Sequence, residues 1–226
     1  FSQNQWIADI NHNALSISLT PANGEYGVIG MSFVNVDYGE LQGTMVWDNE
    51  QGFIDTEIIK PSSLALGIGY AKALSDKFSV GGQIKSAYQY LGKSIIPDSD
   101  TTQALVKNTA DAIAFDFGTI YHTGWKSFTF GMSVRNFSQE IKFQTEGFQL
   151  PLLFTIGASM NLFDLFLTEL RSQSLYLSVD ALHPRSFSER LNIGLEYSLM
   201  DMLVIRTGYL MNYDERGFSG GIGVQK

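Results

Sequence analysis

The sequence predicts an all-β protein, a transmembrane antiparallel β-barrel. Three observations carry this reading. Side chains alternate with period 2 from end to end, the alternating arms are long, and the second face of each arm is short of charge. The unit is clearest at residues 111–138. Ile113, Phe115, Phe117 and Tyr121 share one parity, opposite Ala112, Ala114, Asp116 and Gly118. After the break at 123–127, Phe128, Phe130, Met132 and Val134 lie opposite Thr129, Gly131, Ser133 and Arg135. A half-buried soluble sheet would put long charged side chains on its second face. Here that face is small or uncharged, with one charge per strand, as in a wall with lipid outside and a partly hydrated lumen inside.

Composition agrees. Charged residues make up 17% of the 226 residues, where an ordinary soluble domain has about 25%. A net charge of −8 argues against a nucleic-acid footprint, and the absence of cysteine removes disulfides, thiol nucleophiles and thiolate metal sites. No apolar run is long enough for a spanning helix. The chain starts at Phe1 with no signal peptide, and residues are expected upstream.

About eleven arms follow in order: 11–20, 27–38, 63–73, 78–91, the pair within 111–138, then 151–161, 174–183, 190–199, 203–212 and 217–225. Most have the length a tilted strand needs to cross a bilayer. Tight turns (20–26, 74–77, 123–127, 200–202) alternate with wider links (39–62, 92–110, 138–149, 184–188). Outer-membrane barrels alternate in the same way between periplasmic turns and outer loops. Two links break the rule, 213–216 by being short and 162–172 by being long. In the long one, Leu162, Phe163, Phe166, Leu167 and Leu170 share a helical face, which predicts a short helix at the periplasmic rim. Within 39–62, segments 41–47 and 53–59 read as a hairpin protruding around 48–52. Trp6, Trp47, Trp125, Tyr70, Tyr88, Tyr121 and Tyr197 fall towards arm ends, as an aromatic girdle would.

Several stretches are similar to a known group. Asn4-Gln-Trp-Ile-Ala-Asp-Ile10, Leu74-Ser-Asp-Lys-Phe-Ser-Val-Gly-Gly82 and Phe115-Asp-Phe-Gly-Thr-Ile-Tyr-His-Thr-Gly-Trp125 resemble PorV/PorQ-like outer-membrane proteins, relatives of the FadL-type fatty acid transporters. Gly131-Met-Ser-Val-Arg-Asn-Phe137, Val179-Asp-Ala-Leu-His-Pro-Arg185 and Tyr209-Leu-Met-Asn-Tyr-Asp-Glu-Arg-Gly217 continue the likeness. The resemblance implies a FadL-like barrel of about 14 strands in the bacterial outer membrane, of which roughly 11–12 are visible here. It implies that residues 1–226 are one barrel domain lacking terminal segments of the complete protein. The Asn-Pro-Ala-Gly motif that closes the N-terminal segment of such proteins is absent.

Catalytic chemistry finds little support. Asp180 and His183, with Ser178 nearby, are the residues from which a hydrolytic site would be built. In a strand, positions three apart face opposite sides, and no nucleophile elbow is present. The glycines at 67, 69, 81, 82, 220, 221 and 223 lie inside alternating arms with no helix after them, so phosphate-loop readings fail. Asp98 and Asp100 lack the spacing of a calcium loop. No enzyme activity, cofactor or metal is expected.

The candidate site is a set of inward charges. Parity puts Lys85, Asp116 and Arg135 on one face of three successive arms, and Asp180, Glu196 and Arg206 on three later ones. Opposite charges on neighbouring strands are expected to pair, with Asp180 and Glu196 repelling unless Arg206 lies between them. Hydration of each charge in an open channel is the alternative. Two functions remain open. The resemblance implies an accessory or structural barrel for protein secretion or surface assembly; the alternative is passive transport of hydrophobic or amphiphilic small molecules. Partners are outer-membrane lipid and either secreted or surface proteins or small apolar solutes. A soluble β-sandwich is the third reading of the fold.

Overall fold

A computed structural model describes residues 1–99, 102–143, 146–166, 172–200, 202–213 and 217–224. Its elements are almost entirely strands. The first six are β1 (Ser2–Gln5), β2 (Asn11–Leu19), β3 (Val28–Asp37), β4 (Leu41–Val46), β5 (Phe53–Ile59) and β6 (Ser62–Ser75). Then come β7 (Phe78–Ser99), β8 (Thr102–His122), β9 (Thr129–Ser138), β10 (Ile141–Phe143) and β11 (Glu146–Phe148). The last five are β12 (Leu153–Asn161), β13 (Gln173–Pro184), β14 (Arg190–Leu199), β15 (Leu203–Met211) and β16 (Phe218–Val224), with one short helix, α1 (Phe163–Phe166), before β13.

Twelve strands form one antiparallel meander, β1-β2-β3-β6-β7-β8-β9-β12-β13-β14-β15-β16. The two insertions, β4–β5 and β10–β11, are separate hairpins. Each main strand therefore pairs with the next one along, as the alternation of turns and links requires. The sheet is open, with β1 and β16 at its edges.

The registers fix which side chains share a face. Starting from Phe115, the chain of partners runs through Ile84, Ile68, Met31 and Ile17 in one direction. In the other, Met132 faces Ile156, Val179 faces Ile193, and Tyr197 faces Ile205, which faces Ile222. Phe117, Phe130 and Leu177 lie on the same side. Phe128, expected there too, sits in the turn before β9, where its ring meets Trp125 edge-on. The opposite face holds Ser32, Gly67, Lys85, Ala112, Gly118, Gly131, Gly157, Gly194 and Gly221. Large groups on one side and small ones on the other favour curling towards the small face.

The large face is bare. Ile68 is 62% exposed and Ile84 55%. The whole chain exposes 16296 Å², whereas a soluble monomer of this size exposes about 10,000 Å². A soluble sandwich would hide one face of each layer, and no second layer covers this one. The apolar face is the wall of a membrane-crossing sheet, consistent with a β-barrel.

Three local features differ from the sequence reading. Residues 92–99 and 102–110 are not an irregular link. β7 and β8 continue through them as a paired ribbon, with a register irregularity between Tyr90 and Lys93. Trp47 lies in the turn of the β4–β5 hairpin rather than on the sheet, so it belongs to no girdle, whereas Tyr70, Tyr88, Tyr121 and Tyr197 are all on the large face. Ser2–Gln5 pairs with β2, an arm the alternation did not predict because Gln3, Asn4 and Gln5 offer no apolar parity. The helix at 163–166 is at the end of the sheet opposite residues 92–110, and Phe163 packs edge-on against Tyr197. The rest of the expected helix lies outside the described residues.

Candidate functional site

The small-residue face is where the polar chemistry collects. At its centre, β9 carries a bulge: Phe115 pairs with Phe137 and Phe117 with Val134, so Arg135 and Asn136 together oppose Asp116. Asn136 takes a left-handed backbone, φ 60°, which asparagine tolerates better than most residues. That conformation aims its backbone N–H at Asp116 Oδ1, 2.7 Å away. Lys85 Nζ is 2.7 Å from Asp116 Oδ2 and donates to Asn136 Oδ1 at 2.6 Å. Asn136 Nδ2 donates to the Pro151 carbonyl at 2.9 Å, tying the start of β12 to the same cluster.

Arg135, expected in this position, is exposed and makes no ion pair among the described residues. The bulge put Asn136 in its place. A signal for this exists in the sequence. The apolar parity runs even through Phe130, Met132 and Val134 and then turns odd at Phe137, and a one-residue slip of that kind marks a bulge.

A second polar link crosses three strands. Gln83 on β7 donates to Ser32 Oγ on β3 at 2.7 Å, passing over Gly67 on β6. A Cβ at position 67 would run into both Gln83 and Ser32, so the glycine is what leaves room for the link. Gln83, Lys85, Asp116 and Asn136, with Gly69, Gly81, Gly82 and Gly118 among them, line an open trough of about 870 Å³.

The later charges form one pair and one isolated acid. Glu196 and Arg206 are directly opposite in the register, with Arg206 Nε donating to Glu196 Oε2 at 2.5 Å. Asp180 faces Gly157 on one side and Asn192 on the other, and makes no ion pair among the described residues. It pairs across from Asn192 while Glu196 lies four positions further along β14, about 13 Å away at strand rise, so the two acids do not repel strongly. His183 is on the large face opposite Phe154, away from Asp180, and meets Glu189 at 3.2 Å. No base–orienter pair is formed there.

The other end of the trough face is covered. Ala110, Ala112 and Ala114 form a buried run on β8, at 7%, 9% and 1% exposure. Alanine at these positions leaves a shallow bed. Into it folds the β10–β11 hairpin, so that Ile141, Phe148 and Leu150 line a cavity of about 190 Å³ together with Val34, Ala65, Ala87 and Ala112. The hairpin thus lies against β8, and the cavity beneath it extends across β7 and β6 to β3.

Over residues 26–226 the chain matches the family of type IX secretion system membrane proteins PorP/SprF. It belongs to that family. No curated protein matches the chain. PorP/SprF membership makes it a membrane component of the type IX secretion system, with a structural or secretion role. The match is to PorP/SprF and carries nothing about PorV, PorQ or FadL-type transporters. No helix among the described residues is long and apolar enough to cross a membrane.

Proposed function

We propose that this PorP/SprF chain is an outer-membrane barrel whose lumen is plugged, acting as an accessory or structural component that engages secreted or surface proteins. The β10–β11 hairpin carries this reading, because it lies over β8 at the alanine bed and closes a small cavity on that face. An all-strand membrane wall belongs to the outer membrane, where β-barrels occur. The Lys85–Asp116–Asn136 cluster holds that wall together from inside, joining β7, β8, β9 and the start of β12. Passive transport of apolar solutes would need an apolar path. The trough is lined by apolar and small residues as well, but Gln83, Lys85, Asp116 and Arg135 put polar and fixed-charge groups into it.

Planar-bilayer recording tests the plug. The purified full chain should carry no steady ionic current. Replacing residues 139–150 with a short Gly-Ser link should open it, since β9 and β12 are already neighbours and stay paired. A conducting wild type, or uptake of a long-chain apolar dye by vesicles containing it, would favour the transport reading and sink this one.

A further inference from the structure

The β4–β5 hairpin is an ordered outpost with exposed chemistry. Its turn is held by Trp47 N–H to the Gly52 carbonyl at 3.1 Å, by Gly52 N–H to the Asn49 carbonyl at 3.1 Å, and by Asn49 Nδ2 to the Phe53 carbonyl at 2.9 Å. Its foot is docked, with Ile59 filling the space over buried Gly92 and Glu57 meeting Lys93 at 3.5 Å. Its tip is open to solvent. Val46 is 88% exposed, Trp47 51% and Phe53 43%, with Val46 and Phe53 directly paired.

The apolar tip is ringed by acids. Residues 38–60 contain five carboxylates against Lys60 as the one base. Glu40 pairs with Lys60 and Glu57 with Lys93, whereas Asp48, Glu50 and Asp55 make no ion pair among the described residues. A tryptophan on an ordered turn, beside apolar side chains and a charged rim, has the composition of a protein-binding hot spot.

We propose that the Val46–Trp47–Phe53 tip docks a protein segment that presents basic side chains around an apolar one. Charge decides the occupant. Anionic lipid headgroups would be repelled by Asp48, Glu50 and Asp55. A second copy would bring the same acids face to face, on a chain of net charge −8. A basic and apolar partner satisfies both parts of the surface. The proposal does not depend on the plug, and its test reads binding rather than current.

Two measurements test it. In detergent, the full chain carrying Trp6→Phe and Trp125→Phe is titrated with a synthetic peptide alternating Lys with Leu and Phe, followed by the fluorescence of Trp47. Saturable binding is expected, weakened about tenfold by the triple change Asp48→Asn, Glu50→Gln, Asp55→Asn, and similarly by high salt. A peptide with Glu in place of Lys should not bind. In cells, a photo-crosslinking residue at Val46 should capture a defined protein through a basic segment, whereas one at Ser186 in another loop should not. Capture should disappear in the triple variant, with strand content by circular dichroism unchanged. Equal binding of both peptides, unchanged affinity in the triple variant, or crosslinks to lipid in place of protein would overturn the proposal.

Discussion

At the scale of single residues, burial ranks the two ion pairs. The Lys85 and Asp116 side chains are about one-fifth exposed, at 22% and 20%, while Arg206 and Glu196 are at 53% and 40%. Asp116 also holds the backbone N–H of Asn136 at the bulge, a group with nowhere else to turn. Asp116→Ala should therefore cost about 1–3 kcal/mol, because it takes the counter-charge from a mostly buried ammonium and leaves a backbone donor unpaired. Glu196→Ala should cost about 0–1 kcal/mol, the range of exposed pairs. Urea unfolding in detergent would give the order, and equal losses would count against Asn136 and Asp116 as a joint clasp. Parity of residues was enough to put Lys85 beside Asp116. It was not enough to find Asn136, since strict alternation has no place for an extra residue.

At the scale of elements, the sequence was most legible where both faces alternate cleanly. All eleven predicted arms are strands, because the large–small contrast repeats in each. Legibility failed where the chain leaves the wall. Residues 92–110 mix Lys, Ser, Thr and Asn with apolar residues, and a two-sided polar ribbon in water needs no bilayer-facing parity. The 184–189 connection between β13 and β14 offers a pH test. A backbone N–H, and then the neighbouring His183, hold the Glu189 carboxyl below its usual range. A depressed carboxyl favours the folded loop above its unfolded value and loses that preference as pH falls through the folded one. Amide exchange across 184–190 should accelerate on acidification through the carboxylate range, and Glu189→Gln should flatten that dependence. A loop whose exchange ignores both changes is held by something else, such as Arg190, whose guanidinium sits 4.3 Å from the Tyr213 ring centre and 4.9 Å from that of Phe187.

At the scale of the whole molecule, stability comes from a wall with its greasy side outward, so substitutions should divide by face. Phe130→Arg, on the large face, should destabilise the protein by about 2–4 kcal/mol in a bilayer. Ser133→Arg, on the trough side, should cost clearly less, and a heat-modifiability gel or urea titration in lipid would separate them. If the order were reversed, the lipid side would have been misassigned. The unequal height of this wall has a mechanical consequence. β7 has 22 residues and β8 has 21, where a bilayer needs about 9–11. Their ribbon rises some tens of ångströms past the neighbouring strands. Sideways load on such a mast becomes torque at its foot, where Gly92 sits under Ile59 and Lys93 meets Glu57. The β4–β5 hairpin stands there as a buttress, so a pull on the ribbon enters the sheet through a braced base rather than a single two-stranded stem.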